Sequence, residues 1–146
     1  MYSHVLVGTD GSDTATRAVE AAARLARAHD ARLTIVHAFR SGKRRIDRDC
    51  PPEFNWWFTA GAMADEVVHA AAQSARTAAD GALDVDVRHH TGAPVAVLLD
   101  VIDELKPDAV VVGNADVRRV RVRRSIGHAL TRKTSVDVLV VDTRAA

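Results

Sequence analysis

The chain reads as an α/β protein built on a mainly parallel five-stranded sheet with helices on both faces. Three observations predict this. Short β-branched runs alternate with segments of helical period, in the order β-α-β-α-β-α-β-α-β. The runs Val5-Leu6-Val7 and Ala109-Val110-Val111-Val112 are apolar without alternation, as strands covered on both faces should be. Alternation of this kind joins parallel strands through right-handed crossovers.

The elements follow in order. Val5-Leu6-Val7 ends at Gly8-Thr9-Asp10-Gly11-Ser12, where Ser12 or Asp13 caps a helix. In that helix Ala15, Ala18, Val19, Ala22, Leu25 and Ala26 share one face, and an alanine-rich stripe lets it lie close to a sheet. Leu33 to Ala38 is the second strand. A poorly patterned stretch runs from about Phe39 to Gly61, long enough to be functional or disordered. A second helix starts near Gly61, with Ala64, Val67, Val68, Ala71, Ala75 and Ala78 in period, and Asp80-Gly81 ends it. Val85 and Val87 alternate with Asp84, Asp86 and Arg88, which suits an edge strand with one wetter face. Gly92-Ala93-Pro94 turns into a helix with Pro94 in its first turn and Val95, Leu98, Leu99, Ile102 and Leu105 on one stripe. Pro107 stops it. Ala109 to Val112 is a central strand ending at Gly113-Asn114. A short helix near Ser125 to Arg132 and a last strand, Val138 to Val141, complete the chain.

Composition narrows the function classes. The 146 residues fit one domain, 1–146, with no repeat and no second unit expected. A hydrophobic share of 47% argues against disorder of the whole chain, and a net charge of +1 gives a dedicated nucleic-acid binder little support. Cys50 is the sole cysteine, which rules out an internal disulfide and fits a reducing compartment. The N-terminus lacks a basic region and a long apolar run, so a cytoplasmic protein is expected.

In open parallel sheets, ligands collect beyond the carboxyl ends of strands where strand order reverses. Two loops leave such ends, Gly8 to Ser12 and Gly113 to Ser125. They share one crevice if the first and fourth strands are neighbours. Asp10 has two readings there: a carboxylate that takes hydrogen bonds from a ligand base or ribose, or a loop carboxylate satisfied by nearby backbone N–H groups. Gly8 and Gly11 suit positive φ or close ligand approach. They do not spell G-x-G-x-x-G.

Taken together, Val5-Leu6-Val7-Gly8-Thr9-Asp10-Gly11-Ser12, Leu33 to Ala38, Gly92-Ala93-Pro94, Pro107 to Asn114 and Val136 to Val141 resemble the universal stress proteins over nearly the whole chain. The Gly-Asn ending and the Val-Asp-Val-Leu-Val-Val strand are most similar to the actinobacterial branch, which includes small ATP- or cyclic-AMP-binding members. The resemblance implies a three-layer open sheet in the order 3-2-1-4-5, the adenine nucleotide alpha hydrolase-like fold. It also implies a homodimer through the last strand, Val138 to Val141. Its nucleotide site maps onto Thr9, Asp10 and Ala38 for base and ribose, and onto Gly113, Asn114 and Ser125 for phosphate.

The phosphate half departs from the family pattern of Gly, two residues, Gly, nine residues, Gly, then Ser or Thr. Gly113 fits the first position, but Asp116 stands at the second glycine and Arg124 before Ser125 at the third. The loop between them is two residues shorter. Gly127 is an alternative anchor that makes the loop one residue too long. A carboxylate about 5 Å from a phosphate costs roughly 3 kcal/mol per charge at an effective dielectric near 20. That is on the order of a hundredfold in affinity. Arg118, Arg119, Arg121, Arg123 and Arg124 are well shaped to offset it. They are equally well read as a solvated charge run.

Other residues weigh less. His37 reads as a hydrogen-bonded structural residue. His89-His90 point to opposite strand faces, and His69 and His128 read as lone helical histidines, so no metal is expected. Trp56 and Trp57 suit either a lid over the crevice or a pin holding the loop. No catalytic constellation is legible, so no enzyme activity is expected. The reading is a non-enzymatic regulatory protein that binds an adenine nucleotide, ATP or cyclic AMP, weakly or in an altered mode, with a regulatory protein as its downstream partner. The alternative is a nucleotide-free dimeric interaction module of the same fold.

Overall fold

A computed structural model of the chain describes residues 1–39, 60–114 and 126–142. Nine elements follow one another: β1 (His4–Thr9), α1 (Asp13–His29), β2 (Arg32–Phe39), α2 (Ala60–Ala78), β3 (Val85–Thr91), α3 (Pro94–Leu105), β4 (Ala109–Asn114), α4 (Ile126–Lys133) and β5 (Asp137–Asp142). The sheet runs β3-β2-β1-β4-β5, and every neighbouring pair is parallel. The first and fourth strands are therefore neighbours, and strand order reverses between them.

Strand parity sorts the core into two layers, because successive side chains leave opposite faces of a sheet. Val5, Val7, Leu33, Ile35 and Val111 pack beneath α1 and α2 with Ala18, Val19, Ala22, Ala71 and Ala75. Leu6, Val36, Val110 and Val112 pack on the other face with Leu98, Val101 and Ile102 of α3 and Leu130 of α4. Leu6, Leu33, Ile35 and Leu130 are fully buried. Each contributes about 1.5–3 kcal/mol relative to exposure. One polar side chain sits in this apolar layer: Thr34 is fully buried, and its hydroxyl meets His4 Nε2 at 2.8 Å.

Helix ends follow their capping chemistry. The Ser12 hydroxyl accepts the Ala15 N–H at 3.2 Å and opens α1. Asp30 closes α1 in the left-handed region at φ 53, a conformation Asp tolerates better than most residues. β3 is an edge strand, with Val85 and Val87 half-buried toward α2 and Asp86 exposed. On α3 the buried seam runs through Val97, Leu98, Val101 and Ile102, while Val95, Leu99 and Leu105 are only partly covered. The predicted stripe was thus turned about one residue from the true seam. The helix is apolar on both sides, and periodicity alone cannot choose between neighbouring stripes.

The far end of the sheet is tied by the N-terminus. Asp108 Oδ2 accepts the Ser3 N–H at 2.7 Å, the Ser3 hydroxyl at 2.8 Å and the His4 N–H at 2.9 Å. Tyr2 Oη donates to Asp137 at 2.9 Å. These bonds lock β1 against the starts of β4 and β5 at the amino ends of the strands, leaving the carboxyl ends for a ligand.

Candidate functional site

At the carboxyl ends of β1, β2 and β4 lies a crevice of about 220 Å³. Its walls are the Gly8-Thr9-Asp10 segment, Ser12, Thr14 and Ala15 at the start of α1, and Ala38 at the end of β2; Gly113 at the end of β4 and Ile126 opening α4 complete them. Its floor is apolar: Val36, Leu98 and Val112, all from the α3 side of the sheet. The crevice therefore opens on the α3 and α4 face, at the point where strand order reverses.

The turn after β1 is held by its own side chains. The Thr9 hydroxyl accepts the Gly11 N–H at 3.1 Å, and Asp10 Oδ1 accepts the Ser12 N–H at 2.9 Å. Gly11 has φ +83, and a Cβ there would meet Val67 Cγ2 at 3.1 Å, so both backbone conformation and space favour glycine. Gly8 has no left-handed φ; a Cβ there would meet Leu98 Cδ1 at 3.4 Å. Its missing side chain instead keeps the crevice floor clear.

Burial is the largest single influence on the Asp10 carboxyl and pushes it up. The Ser12 hydroxyl and N–H, its own N–H and His37 together outweigh that, so the group titrates below its ordinary value of 3.8. Asp10 is thus ionised at neutral pH. Among the described residues lining the crevice it alone carries charge. That chemistry suits hydroxyl or amine donors, such as a ribose or a base edge, and any positive counterpart to phosphate must come from elsewhere. α3 opens toward the same space from Ala93 and Pro94 without a side-chain cap.

Of the residues predicted for the site, the structure brings Thr9, Asp10, Ala38 and Gly113 together around this one crevice. Asn114 closes β4, and its side chain is outside the description. Ser125 lies outside the described residues, as do Asp116, the Arg118 to Arg124 run, Cys50, Trp56 and Trp57. Sequence reasoning missed the floor residues Val36, Leu98 and Val112. Strand parity would have grouped Val36 and Val112 with Ala38, but the sequence does not say which face the crevice opens on.

Gly127 is buried in α4, where a Cβ would meet Val140 Cγ2 at 2.6 Å and Val112 Cγ2 at 3.3 Å, so helix-to-sheet packing by itself requires a glycine here. The loop that precedes it lies outside the described residues. One expectation is corrected: His69 is not a lone histidine. Asp65, one turn before it, lies 3.4 Å from its Nε2 and 3.7 Å from Nε2 of His89 on β3. The described residues hold no group of three or more side chains arranged to take a metal ion.

An open parallel sheet with helices on both faces and a crevice at its switch point defines a doubly wound α/β protein. The chain belongs to the universal stress protein family, whose sequence profile matches residues 1–142. It is 38% identical over 145 residues to a universal stress protein of Mycobacterium tuberculosis, covering 97% of both chains. Its fold is similar to that of a universal stress protein crystallised in complex with cAMP, with a TM-score of 0.78 and 34% identity, covering 97% of this chain and 98% of that one. A universal stress protein from Archaeoglobus fulgidus shares the fold at 21% identity and a TM-score of 0.71, covering 97% of this chain and 100% of the other. The architecture is the adenine nucleotide alpha hydrolase-like fold.

Proposed function

We propose that the protein is a non-enzymatic regulatory protein that takes the nucleoside part of an adenine nucleotide into the crevice between β1 and β4. The observation that carries this reading is the meeting of Thr9, Asp10, Ala38 and Gly113 around one cleft with an apolar floor. A base slides over Val36 and Leu98, and Asp10 accepts from the base or ribose. A related protein, 34% identical, was crystallised with cAMP. The volume is below the roughly 300 Å³ at which drug-sized pockets begin, so the cleft suits base and ribose rather than a whole triphosphate. By the family pattern the phosphates would leave toward Asn114 and Ser125; Asp116, at the second glycine position, would oppose them, and Arg123 or Arg124 would offset that opposition. Binding is therefore weak or altered relative to the family pattern.

We place the protein as one domain, residues 1–146, acting as a homodimer through Val138 to Val141 in the cytoplasm, where occupancy changes a surface read by a regulatory protein. Among the described residues no helix is long and apolar enough to cross a membrane. Titration calorimetry with ATP, AMP and cyclic AMP tests the ligand reading. Micromolar binding of at least one of them, weakened tenfold or more by Asp10→Ala, is the expected result. Silence with all three favours the second reading, a nucleotide-free dimeric module. One observation speaks for that module: β5 is an edge strand on which Val140 stays 47% exposed.

A further inference from the structure

We infer that His37 is a positioning residue for the ligand turn, acting from the opposite face of the sheet; the ligand arm of this inference rests on the nucleotide reading above. His37 shares strand parity with Leu33 and Ile35, so its imidazole leaves the sheet on the α2 side, away from the crevice. It is only 9% exposed. It stacks on Phe39 at a centroid distance of 6.1 Å, and Phe39 in turn meets His89 at 5.7 Å. The ring is therefore held from its own strand and from β3.

Its Nδ1 lies 2.9 Å from the Thr9 carbonyl oxygen. A carbonyl oxygen only accepts, so Nδ1 carries the proton and donates. The β1–β2 register ends at the pair Thr9–His37, and the turn begins immediately after it. The imidazole thus extends the ladder by one hydrogen bond, at the point where backbone pairing runs out.

The consequence follows from peptide planarity. The Thr9–Asp10 bond is trans, so the Thr9 carbonyl and the Asp10 N–H point in opposite directions. Pinning the carbonyl on the α2 side turns the Asp10 N–H to the crevice side. There that N–H and the Ser12 N–H support the Asp10 carboxylate. His37 touches no ligand, yet it fixes the peptide that carries Asp10, a residue bordering both the crevice and the cavity on the α2 side. Across the turn, the same imidazole borders a second cavity with Met63, Val67 and Ser74, so ring and turn form one wall between two spaces.

The test compares His37→Phe, which keeps a ring and loses the donor, with His37→Asn, which keeps an N–H near the Nδ1 position. Affinity for cyclic AMP and ATP is measured on the full chain, alongside thermal unfolding. The expected result is about a tenfold loss for His37→Phe, the worth of one buried hydrogen bond. Recovery to within about threefold of wild type is expected for His37→Asn. Nitrogen-15 NMR of the imidazole should show the Nδ1–H tautomer, and the Asp10, Gly11 and Ser12 amide resonances should shift in His37→Phe but return in His37→Asn. Unchanged affinity in His37→Phe, equal losses in both variants, or an Nε2–H tautomer would overturn the inference. Should the wild type bind neither nucleotide, the nucleotide reading fails by itself. The amide resonances then decide the positioning role: it stands if they shift in His37→Phe and falls if they do not.

Discussion

At the scale of single residues, two carboxylates take opposite roles: Asp108, just before β4, binds the start of β1, and Asp10 follows the end of β1. Asp108 is spent on structure. The Ser3 hydroxyl is the leading influence that holds its carboxyl below the ordinary value of 3.8, followed by the Ser3 and His4 N–H groups. A carboxyl whose folded value is depressed stabilises the fold fully above its unfolded value and loses that contribution as pH falls through the folded one. Asp108→Asn should therefore lower the melting temperature at pH 5 to 8, as a thermal-shift series against pH would show. The difference should shrink as pH falls below the ordinary value of 3.8 and vanish only below the depressed value of the folded protein. His4 acts in the same direction. Burial holds its imidazole below its ordinary value of 6.5, followed by Arg32, so acid must charge a group the fold prefers neutral. Asp10, at the crevice, is the counterpart: it is ionised and supported by its own N–H and that of Ser12. Its carboxyl is depressed as well, so Asp10→Asn should lower the melting temperature at neutral pH, though only slightly because the amide oxygen still accepts the Ser12 N–H; the larger loss should be in ligand affinity.

At the scale of elements, α4 lies close against the sheet at Gly127. A methyl group at Gly127 would approach Val140 Cγ2 to 2.6 Å, too close to persist. Alanine gains up to about 1 kcal/mol of helix propensity over glycine, but overpacking costs about 1–3 kcal/mol. The clash wins, because a β-branched valine on a strand has little freedom to turn away. Gly127→Ala should destabilise the protein by about 1–2 kcal/mol in urea denaturation. Adding Val140→Ala should recover most of that loss, a coupling that independent sites would not show. Leu130, fully buried on the same helix, should cost about 2–5 kcal/mol when cut to alanine, measured the same way. On the other face, Asp65 bridges His69 and His89 and joins α2 to β3 across partly exposed ground. Pairs in that setting are worth little. Asp65→Asn should leave stability within about 0.5 kcal/mol of wild type.

At the scale of the whole molecule, the parallel sheet places every strand's carboxyl end on one side, and β1 beside β4 places the candidate crevice. The other consequence is the pair of open edges, β3 and β5. β3 is guarded by charge: Arg88 bonds Glu104 at 2.9 Å and lies 3.5 Å from Asp86. β5 leaves Val140 half-exposed. An apolar unpaired edge is a surface that another strand can join, and lysine on such an edge discourages pairing. The proposed homodimer predicts that Val140→Lys sediments as a monomer in analytical ultracentrifugation under conditions where the wild type is a dimer. A wild type that is monomeric at all concentrations would remove both the dimer and the module reading.

The alternation of elements, the central position of Val5-Leu6-Val7 and Ala109 to Val112, and the edge character of Val85 to Arg88 were legible in the chain. Each depends on local pattern: period, β-branching and the turn residues between runs. The family's residues marked Thr9, Asp10, Ala38 and Gly113 in the same way. Three things were settled only by tertiary structure. The face on which the crevice opens depends on which helices cover which parity of the sheet, and Leu98 enters the site only through that packing. Nothing in the chain explains a glycine at 127 inside a short helix, and only its contact with Val140, 13 residues later, shows the need for it. The hydrogen bond from His37 to Thr9 joins residues 28 apart. No period or motif records it, because it exists only once two strands have paired and a buried donor finds the one carbonyl that the ladder leaves over.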